Sequence, residues 1–302
     1  MTTTSAAVAP LRRRLSRADR RQIVINRLQH VALRAFGCCL LAIVLLIALF
    51  PPYFMAITAF HPPTLSFNRT PTLFSTDLSL SAFNDLFTKF PYLTWMANTT
   101  IVAVSSTIFS VTVATLAAYS LSRLRYPGRG TLSSAVFFVY LFPSTLLFIP
   151  MYIVLNSLHL LDWLPALIAV YLTFSVPFSI WLLKAYFLTI PRELEDAALV
   201  DGATRWQSLV LIIMPLATPG IAVACIYSFT LAWNEYLYAF TLLSDQTKFT
   251  LAPGLTKLIF GDVFLWGMIM AGGVLMSAPL LILYFIAQRY IVAGLSAGAV
   301  KG

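Results

Sequence analysis

Six stretches of this chain contain no Asp, Glu, Lys, Arg or His, and each is at least 21 residues long. An α-helix needs about 20 apolar residues to cross the roughly 30 Å hydrocarbon core of a bilayer. One such helix could be buried in a soluble protein, but six cannot, in a chain whose mean hydropathy is +0.84. Membrane β-strands are shorter and alternate in polarity, which these stretches do not. The pattern predicts an all-α membrane protein with six transmembrane helices, within 35–60, 90–122, 130–158, 163–183, 206–234 and 263–288.

The distribution of basic residues predicts the orientation of these helices. If the N-terminus is cytoplasmic, 16 of the 20 Lys and Arg residues lie on the cytoplasmic side and four lie in outer loops. Cytoplasmic loops of membrane proteins carry such an excess. Both termini and the segment 184–205 are therefore predicted to be cytoplasmic. In the outer loop 245–262, Pro253-Gly254 predicts a turn between two short amphipathic pieces.

Eight arginines precede the first predicted helix, opposed by Asp19 alone. The net charge of +9 could suggest a nucleic-acid partner. A basic block beside a membrane helix is instead the usual signature of a cytoplasmic flank, helped by anionic lipid. We interpret 1–34 as a basic cytoplasmic segment and 35–302 as the transmembrane domain, with no nucleic-acid partner. Cys38, Cys39 and Cys225 have no spacing typical of a metal site or a disulfide framework.

Prolines recur in the predicted helices, where each removes a backbone hydrogen bond and tends to kink or interrupt the helix. Kinked helices can line a path that opens and closes, and they also arise from packing alone. The segment 98–120 adds a small, polar face suited to close helix packing. The prolines are Pro51, Pro52, Pro143, Pro150, Pro177, Pro215, Pro219 and Pro279.

Few groups in the predicted helices could perform chemistry. Ionisable side chains at membrane depth are costly and are kept for function, and here they are confined to helix ends. The chain lacks the zinc-protease motif HExxH and the nucleotide-binding motif GxxxxGK[ST]. These absences argue against an enzyme, a metal site and an ATPase, and the lack of a titrating relay argues against an ion-coupled transporter. Asn234 and Glu235, near the outer end of the fifth helix, are either an interfacial anchor or a contact on a solute path.

Acidic residues are concentrated in one short segment. Four of the chain's 11 carboxylates lie within nine positions, at Glu193, Glu195, Asp196 and Asp201. Residues 192–201 are rich in helix formers, and acids near a helix start interact favourably with its dipole. One face of this helix would be shallow, with two alanines that permit close approach by a partner. That face comprises Leu194, Ala197, Ala198 and Asp201, and the segment is either a solvated connection or a docking helix.

The spacing around this segment resembles a known motif. Asp196-Ala197-Ala198, three residues, Gly202, nine residues and then Ile212–Pro215 is similar to the EAA loop of binding-protein-dependent ABC importers. The family pattern has Glu for Asp196 and Leu for Met214, and both departures preserve charge or bulk. Residues 229–243 and 288–302 further resemble permeases of the maltose-transporter type. The resemblance covers about 95–302 well and does not account for the first 30 residues.

This resemblance implies a multi-pass permease of the bacterial inner membrane, with a permease core at about 95–290 and a coupling loop at about 187–215. It implies a second related permease, two ATPase subunits that bind ATP-Mg, and an extracytoplasmic solute-binding protein. This chain itself would be no enzyme and would bind no cofactor. The ATPase-coupling residues would be Glu195, Asp196, Ala197, Ala198, Asp201 and Gly202, with Gly202 at positive φ. Gly298 and Lys301, in the C-terminal tail, would also contact the ATPases.

The solutes of the resembling permeases are mostly sugars, which implies a disaccharide or oligosaccharide such as trehalose or maltose. A phosphorylated solute should require cationic groups along the path, and their absence from the centres of the predicted helices favours a neutral sugar. An importer of glycerol phosphate or a polyol is one alternative. A stand-alone channel or facilitator is another.

Overall fold

The computed structural model describes residues 17–62, 73–74, 77–260 and 263–299. Arg12, Arg13 and Arg14 of the basic segment and Lys301 of the tail lie outside these residues. Over the described part the chain is almost entirely helical, as predicted, apart from one short β-hairpin. The chain divides into two compact units, Met1–Phe54 and Met55–Gly302.

The first helix, α1, runs from Arg17 to Ala59 and includes Pro51 and Pro52 without a break. It continues from the basic segment into the first apolar stretch, so no helix end separates residues 34 and 35. Every side chain from Gln29 to Tyr53 is exposed. A continuous exposed apolar surface of this length is typical of contact with a membrane or a partner.

The helices after α1 follow one another with short connections. A 3-10 turn spans Ser144–Leu147, and a π-helical segment spans Leu209–Ile213. A second 3-10 turn spans Gln246–Lys248. The antiparallel hairpin pairs β1, Ile259–Phe260, with β2, Val263–Phe264. The helices are α2 (Ser81–Lys89), α3 (Tyr92–Arg123), α4 (Arg129–Leu141), α5 (Phe148–Ser157), α6 (Leu164–Thr189), α7 (Arg192–Val200), α8 (Arg205–Ser208), α9 (Met214–Leu216), α10 (Thr218–Asn234), α11 (Leu237–Leu242), α12 (Leu251–Thr256) and α13 (Trp266–Ala299).

Four helices in the described residues, within α1, α3, α6 and α13, are long and apolar enough to cross a membrane. Two further candidates are bent pairs. Arg129–Leu141 meets Ser144–Ser157 at 86°, and Arg205–Leu216 meets α10 at 81°. The predicted count of six is reached only if each bent pair is one span. Proline contributes to both breaks, at Pro143 and at Pro215 with Pro219, whereas Pro177 lies inside the unbroken α6.

Helix α3 packs against α6 and α10 through small side chains, as its sequence predicted. Three fully buried serines meet where these helices approach. The Ser228 hydroxyl donates to Ser110 Oγ at 3.3 Å, and Ser179 Oγ lies 3.3 Å from Ser228 Oγ. These contacts satisfy hydroxyls that would otherwise lie unpaired in an apolar interior.

The segment 245–262, which the sequence predicts to be an outer loop, differs in structure from that prediction. Pro253 and Gly254 lie inside α12 instead of forming a turn. Gly254 is needed there because a β-carbon would overlap the indole ring of Trp95 at the start of α3. The Trp95 indole also donates to the carbonyl of Gln246 at 2.8 Å. Close packing against Trp95, and not turn geometry, therefore explains this glycine.

Candidate coupling site

The acidic segment forms helix α7, as predicted, and this helix ends in a defined cap. Gly202 has φ of +89°, which confirms the predicted positive φ. Its N–H donates to the Leu199 carbonyl at 3.2 Å, and the Ala203 N–H donates to the Ala198 carbonyl at 2.9 Å. This pair of bonds is the Schellman arrangement, which satisfies the last carbonyls of a helix and requires a left-handed residue.

The chain re-enters a helix immediately after this cap. Thr204 Oγ1 accepts the Gln207 N–H at 3.2 Å, while Gln207 Oε1 accepts the Thr204 N–H at 2.7 Å. This reciprocal capping box starts α8. The reversal between α7 and α8 is thus fixed by hydrogen bonds on both sides, so the position of α8 follows that of α7.

Glu195 holds α7 against the rest of the chain. Its side chain is only 3% exposed. Glu195 Oε1 accepts the Tyr119 hydroxyl at 2.6 Å and Arg205 Nη1 at 3.0 Å. Glu195 Oε2 lies 3.6 Å from Nε of Arg123, whose side chain is 2% exposed. The family resemblance implies that Glu195 contacts an ATPase, whereas in the structure its side chain points inward and joins α7 to α3 and α8.

Two arginines extend this anchor to the end of α6. Arg123 Nη2 donates to the carbonyls of Phe187 and Ile190 at 2.6 and 2.7 Å. Carbonyls at a helix C-terminus lack helical partners, and a cation there is favoured by the helix dipole. Arg192, the first residue of α7, donates to the Ser122 carbonyl at 3.0 Å. The start of α7 is therefore bonded to the end of α3, and the end of α3 is in turn bonded to the end of α6.

The opposite face of α7 is uncovered. Leu194 is 45% exposed and Val200 is 86% exposed, which is unusual for large apolar side chains. Between and beside them lie the remaining predicted coupling residues. Asp196, Ala197, Asp201 and Gly202 are exposed, and Ala198 is half-buried. We call this surface the coupling face; it combines apolar, small and acidic groups on a helix that is anchored from its other side. It is formed by Leu194, Asp196, Ala197, Ala198, Val200, Asp201 and Gly202.

Asn234 and Glu235 lie at the other end of α10 from the coupling loop. Glu235 Oε1 accepts the Tyr238 N–H at 2.9 Å, and Oε2 accepts the Ala239 N–H at 3.0 Å. Glu235 Oε2 also accepts the hydroxyl of the buried Tyr171 at 2.8 Å. Both carboxylate oxygens are therefore used within the chain, to cap α11 and to hold α6. Asn234 is exposed and donates to the Thr230 carbonyl at 2.9 Å.

A cavity of about 740 Å³ opens at the break between α4 and α5. Its walls come from the broken pair and from α6 and α10. No charged residue lines it among the described residues. Aromatic side chains and two aliphatic hydroxyl side chains are part of its lining, from Tyr140, Phe142, Phe174, Tyr227, Ser144 and Thr173. The cavity is not predicted by the sequence pattern, in which Pro143 within an apolar stretch is the one available signal of a break there.

Comparison with known proteins places the chain in a family. Residues 110–297 match the family described as "Binding-protein-dependent transport system inner membrane component". The chain is 38% identical over 266 residues to the inner membrane ABC transporter permease protein YcjP of Escherichia coli (strain K12), covering 87% of this chain and 95% of the relative. It is 35% identical over 243 residues to the trehalose transport system permease protein SugB of Mycobacterium tuberculosis (strain CDC 1551 / Oshkosh), covering 80% and 84%.

The fold is similar to that of a solved transporter. The crystal structure of a bacterial ABC transporter involved in the import of the acidic polysaccharide alginate includes a chain that aligns with a TM-score of 0.74 and 25% identity. The alignment covers 92% of this chain and 99% of that chain. The matched family and the similar fold confirm the family resemblance that the sequence predicted. The chain belongs to the family of binding-protein-dependent transport system inner membrane components.

Proposed function

We propose that this chain is the permease subunit of an ATP-driven importer, which moves a disaccharide or oligosaccharide from a solute-binding protein into the cytoplasm by alternating access. As a member of its family it is a transport subunit of the inner membrane and not an enzyme. The observation that carries the proposal is helix α7, which is anchored inside the chain by Glu195 and uncovered on its coupling face. A helix held this way can transmit movement between an ATPase subunit and the membrane helices.

The proposed assembly follows from the family and from the coupling face. A second, related permease completes the transmembrane path, and two ATPase subunits bind ATP-Mg and receive the coupling faces. A solute-binding protein delivers sugar at the outer surface. Reconstitution of all partners in vesicles tests this assembly directly. Uptake of radiolabelled trehalose or maltose should require both ATP and binding protein, whereas uptake without either would show a stand-alone facilitator.

Six membrane crossings with both termini cytoplasmic are proposed, each bent pair counting as one crossing. Thr247 and Pro127 are both exposed and would lie on opposite sides of the membrane. In a variant without the native cysteines, Thr247→Cys should react with an impermeant maleimide in intact cells. Pro127→Cys should react only after the membrane is permeabilised. The reverse pattern would invert the topology and remove the coupling face from the ATPases.

The aromatic cavity at the α4–α5 break is the proposed contact for the sugar. Sugar rings present apolar faces that stack on aromatic rings, and the uncharged lining suits a neutral solute. Loss of one ring contact should cost about 0.5–1.5 kcal/mol, or roughly two- to tenfold in uptake rate. Tyr227→Leu is expected to lower sugar uptake by this factor. Phe285→Leu, an aromatic change at an exposed position of α13, should leave uptake unchanged, and equal effects of the two variants would contradict the proposal.

Asn234 remains a proposed contact on the solute path, because its side chain is exposed where α10 ends. Glu235 acts there as a positioning residue, since its oxygens hold α11 and Tyr171. A solute passing the end of α10 would thus meet an amide and not a free carboxylate. This arrangement again fits a neutral sugar better than glycerol phosphate.

The C-terminal tail is a further proposed contact with the ATPases. The backbone of α13 continues through Gly298 to Ala299, so this part of the tail is an extension of the last helix. Removing residues 296–302 is expected to leave the complex assembled and to lower coupled sugar uptake. Co-purification of the ATPases checks assembly, and vesicle transport checks coupling. Unchanged uptake by the truncated complex would show that the tail has no such role.

A further inference from the structure

A second cavity, of about 670 Å³, lies behind helix α7. It is bounded by the end of α3, the loop that follows it, and the starts of α7 and α8. Charged groups dominate its lining, with four guanidinium groups and two carboxylates. They are Arg123, Arg125, Arg192, Arg205, Glu195 and Asp196. Because arginine remains charged at any physiological pH, the lining carries two more positive than negative charges.

The buried carboxylate that lines this cavity already has partners within the chain. Glu195 accepts from Tyr119 and Arg205, and its other oxygen faces Arg123. The carboxylate that could neutralise the cavity is therefore committed. The remaining carboxylate, from Asp196, also lines the cavity and is exposed, so four guanidinium groups still face only two carboxylates.

Two arginines at the cavity keep N–H donors that no described residue accepts. Nε of Arg123 is buried and has no hydrogen-bond partner among the described residues, although it lies 3.6 Å from the Glu195 carboxylate. Arg125 is exposed at the cavity, and no hydrogen bond or ion pair joins it to any other described residue. Buried polar donors are normally satisfied, by protein or by a bound group. The cavity therefore combines surplus positive charge with unused hydrogen-bond donors. This combination indicates an anion as its ligand.

We propose that this cavity binds a phosphate group. Guanidinium groups match the oxygens of a phosphate with paired hydrogen bonds, and several of them around one concave site favour this ligand. Two sources share this chemistry, the headgroup of an anionic phospholipid and free inorganic phosphate. Basic pockets between helices on the cytoplasmic side of a membrane bind anionic headgroups. The site rests on the proposed orientation, which puts it at that surface, directly behind the coupling face.

Thermal stability of the assembled importer tests this site without relying on transport. The melting temperature should be higher in phosphatidylcholine vesicles that contain phosphatidylglycerol than in phosphatidylcholine alone, or higher in detergent with inorganic phosphate than with chloride at equal ionic strength. Arg125→Glu should abolish this increase, and Arg125→Ala should reduce it. Arg27→Ala, at an exposed arginine of α1, should retain it. If the melting temperature rises with phosphatidylglycerol but not with inorganic phosphate, the lipid is the source of the phosphate group. If it rises with inorganic phosphate, the soluble anion is the source.

The outcomes separate this proposal from the proposed function. Because melting temperature requires neither sugar uptake nor ATP hydrolysis, a failure of coupled transport would leave the result readable. Loss of ATPase co-purification in Arg125→Glu, with the phosphate-dependent increase retained, would show that Arg125 contacts an acidic partner surface and would overturn the phosphate site. The same increase in wild type, Arg125→Glu and Arg27→Ala would also overturn it. So would the absence of any increase in the wild-type complex.

Discussion

Replacing Glu195 with alanine is expected to abolish the stimulation of ATP hydrolysis by sugar-loaded binding protein. Glu195 is the buried carboxylate that joins α7 to Tyr119, Arg123 and Arg205. Without it, the buried Arg123 guanidinium loses its counter-charge. Removing one partner of a buried ion pair costs about 3–5 kcal/mol. The anchor of α7 should then fail, and the helix could no longer carry movement between an ATPase and the membrane helices.

A matched set of variants makes this expectation specific. Glu193→Ala removes an exposed carboxylate from the same helix and should retain stimulated hydrolysis. Glu195→Gln keeps an acceptor for the Tyr119 hydroxyl but loses the charge, so it should lie between wild type and Glu195→Ala. Limited proteolysis of the α7–α8 connection should be slowest in wild type, faster in Glu195→Gln and fastest in Glu195→Ala. Normal stimulated hydrolysis and normal protease resistance in Glu195→Ala would show that this buried network does not support coupling.

Reversing the charge at Asp196 is expected to prevent productive docking of the ATPase while leaving the permease inserted and folded. Asp196 is exposed on the coupling face, one residue from the buried Glu195, so its side chain is free for a partner. Complementary charges at an interface set register as well as affinity, and a like charge there can cost several kcal/mol. Asp196→Lys should therefore lose co-purification of the ATPases, or lose stimulated hydrolysis in reconstituted vesicles.

The cap of the same helix provides an independent test of the coupling face. Apart from its chain neighbours, no atom of the described residues lies within 4 Å of the position that a β-carbon would take at Gly202, so substitution there acts through the backbone alone. At φ of +89° a β-carbon costs roughly 1–2 kcal/mol. Gly202→Val should weaken coupling, whereas Gly202→Asn should be milder because asparagine tolerates this conformation. If Asp196→Lys and Gly202→Val both assemble and respond to loaded binding protein normally, the coupling face is elsewhere.

Local chemistry in the sequence was enough to predict helix α7 and its cap. The acids after Pro191, the two alanines and Gly202 each act within a few residues, so their spacing specifies a short capped helix. The long uncharged stretches likewise predicted where apolar helices lie. The positions at which these helices break could not be predicted in the same way, because the helix breaks at Pro143 but continues through Pro177. Whether a proline interrupts a helix depends on what neighbouring helices contribute at that point.

The role of Glu195 could not be predicted from spacing. Its partners Tyr119 and Arg123 lie more than 70 positions earlier in the chain, at the end of a different helix. In the sequence, Glu195 and Asp196 are equivalent neighbours in an acidic run. Only the packing of α7 against α3 separates them into an inward anchor and an outward contact. The same limitation applies to Gly254, which the sequence presents as a turn residue and the fold uses to seat Trp95.

The bend before α10 has a consequence for the lipid around the protein. In the proposed topology, where this bent pair is one crossing, Arg205–Leu216 turns away at 81° and only the 17 residues of α10 remain as its straight part. At 1.5 Å per residue they span about 25 Å, less than the roughly 30 Å of a typical hydrocarbon core. In that topology the membrane would have to thin locally or the flanking segments would have to enter it, and either adjustment carries a cost that grows with hydrophobic mismatch. Acyl-chain length would then bias which conformation the transporter adopts, even in a membrane of constant headgroup composition.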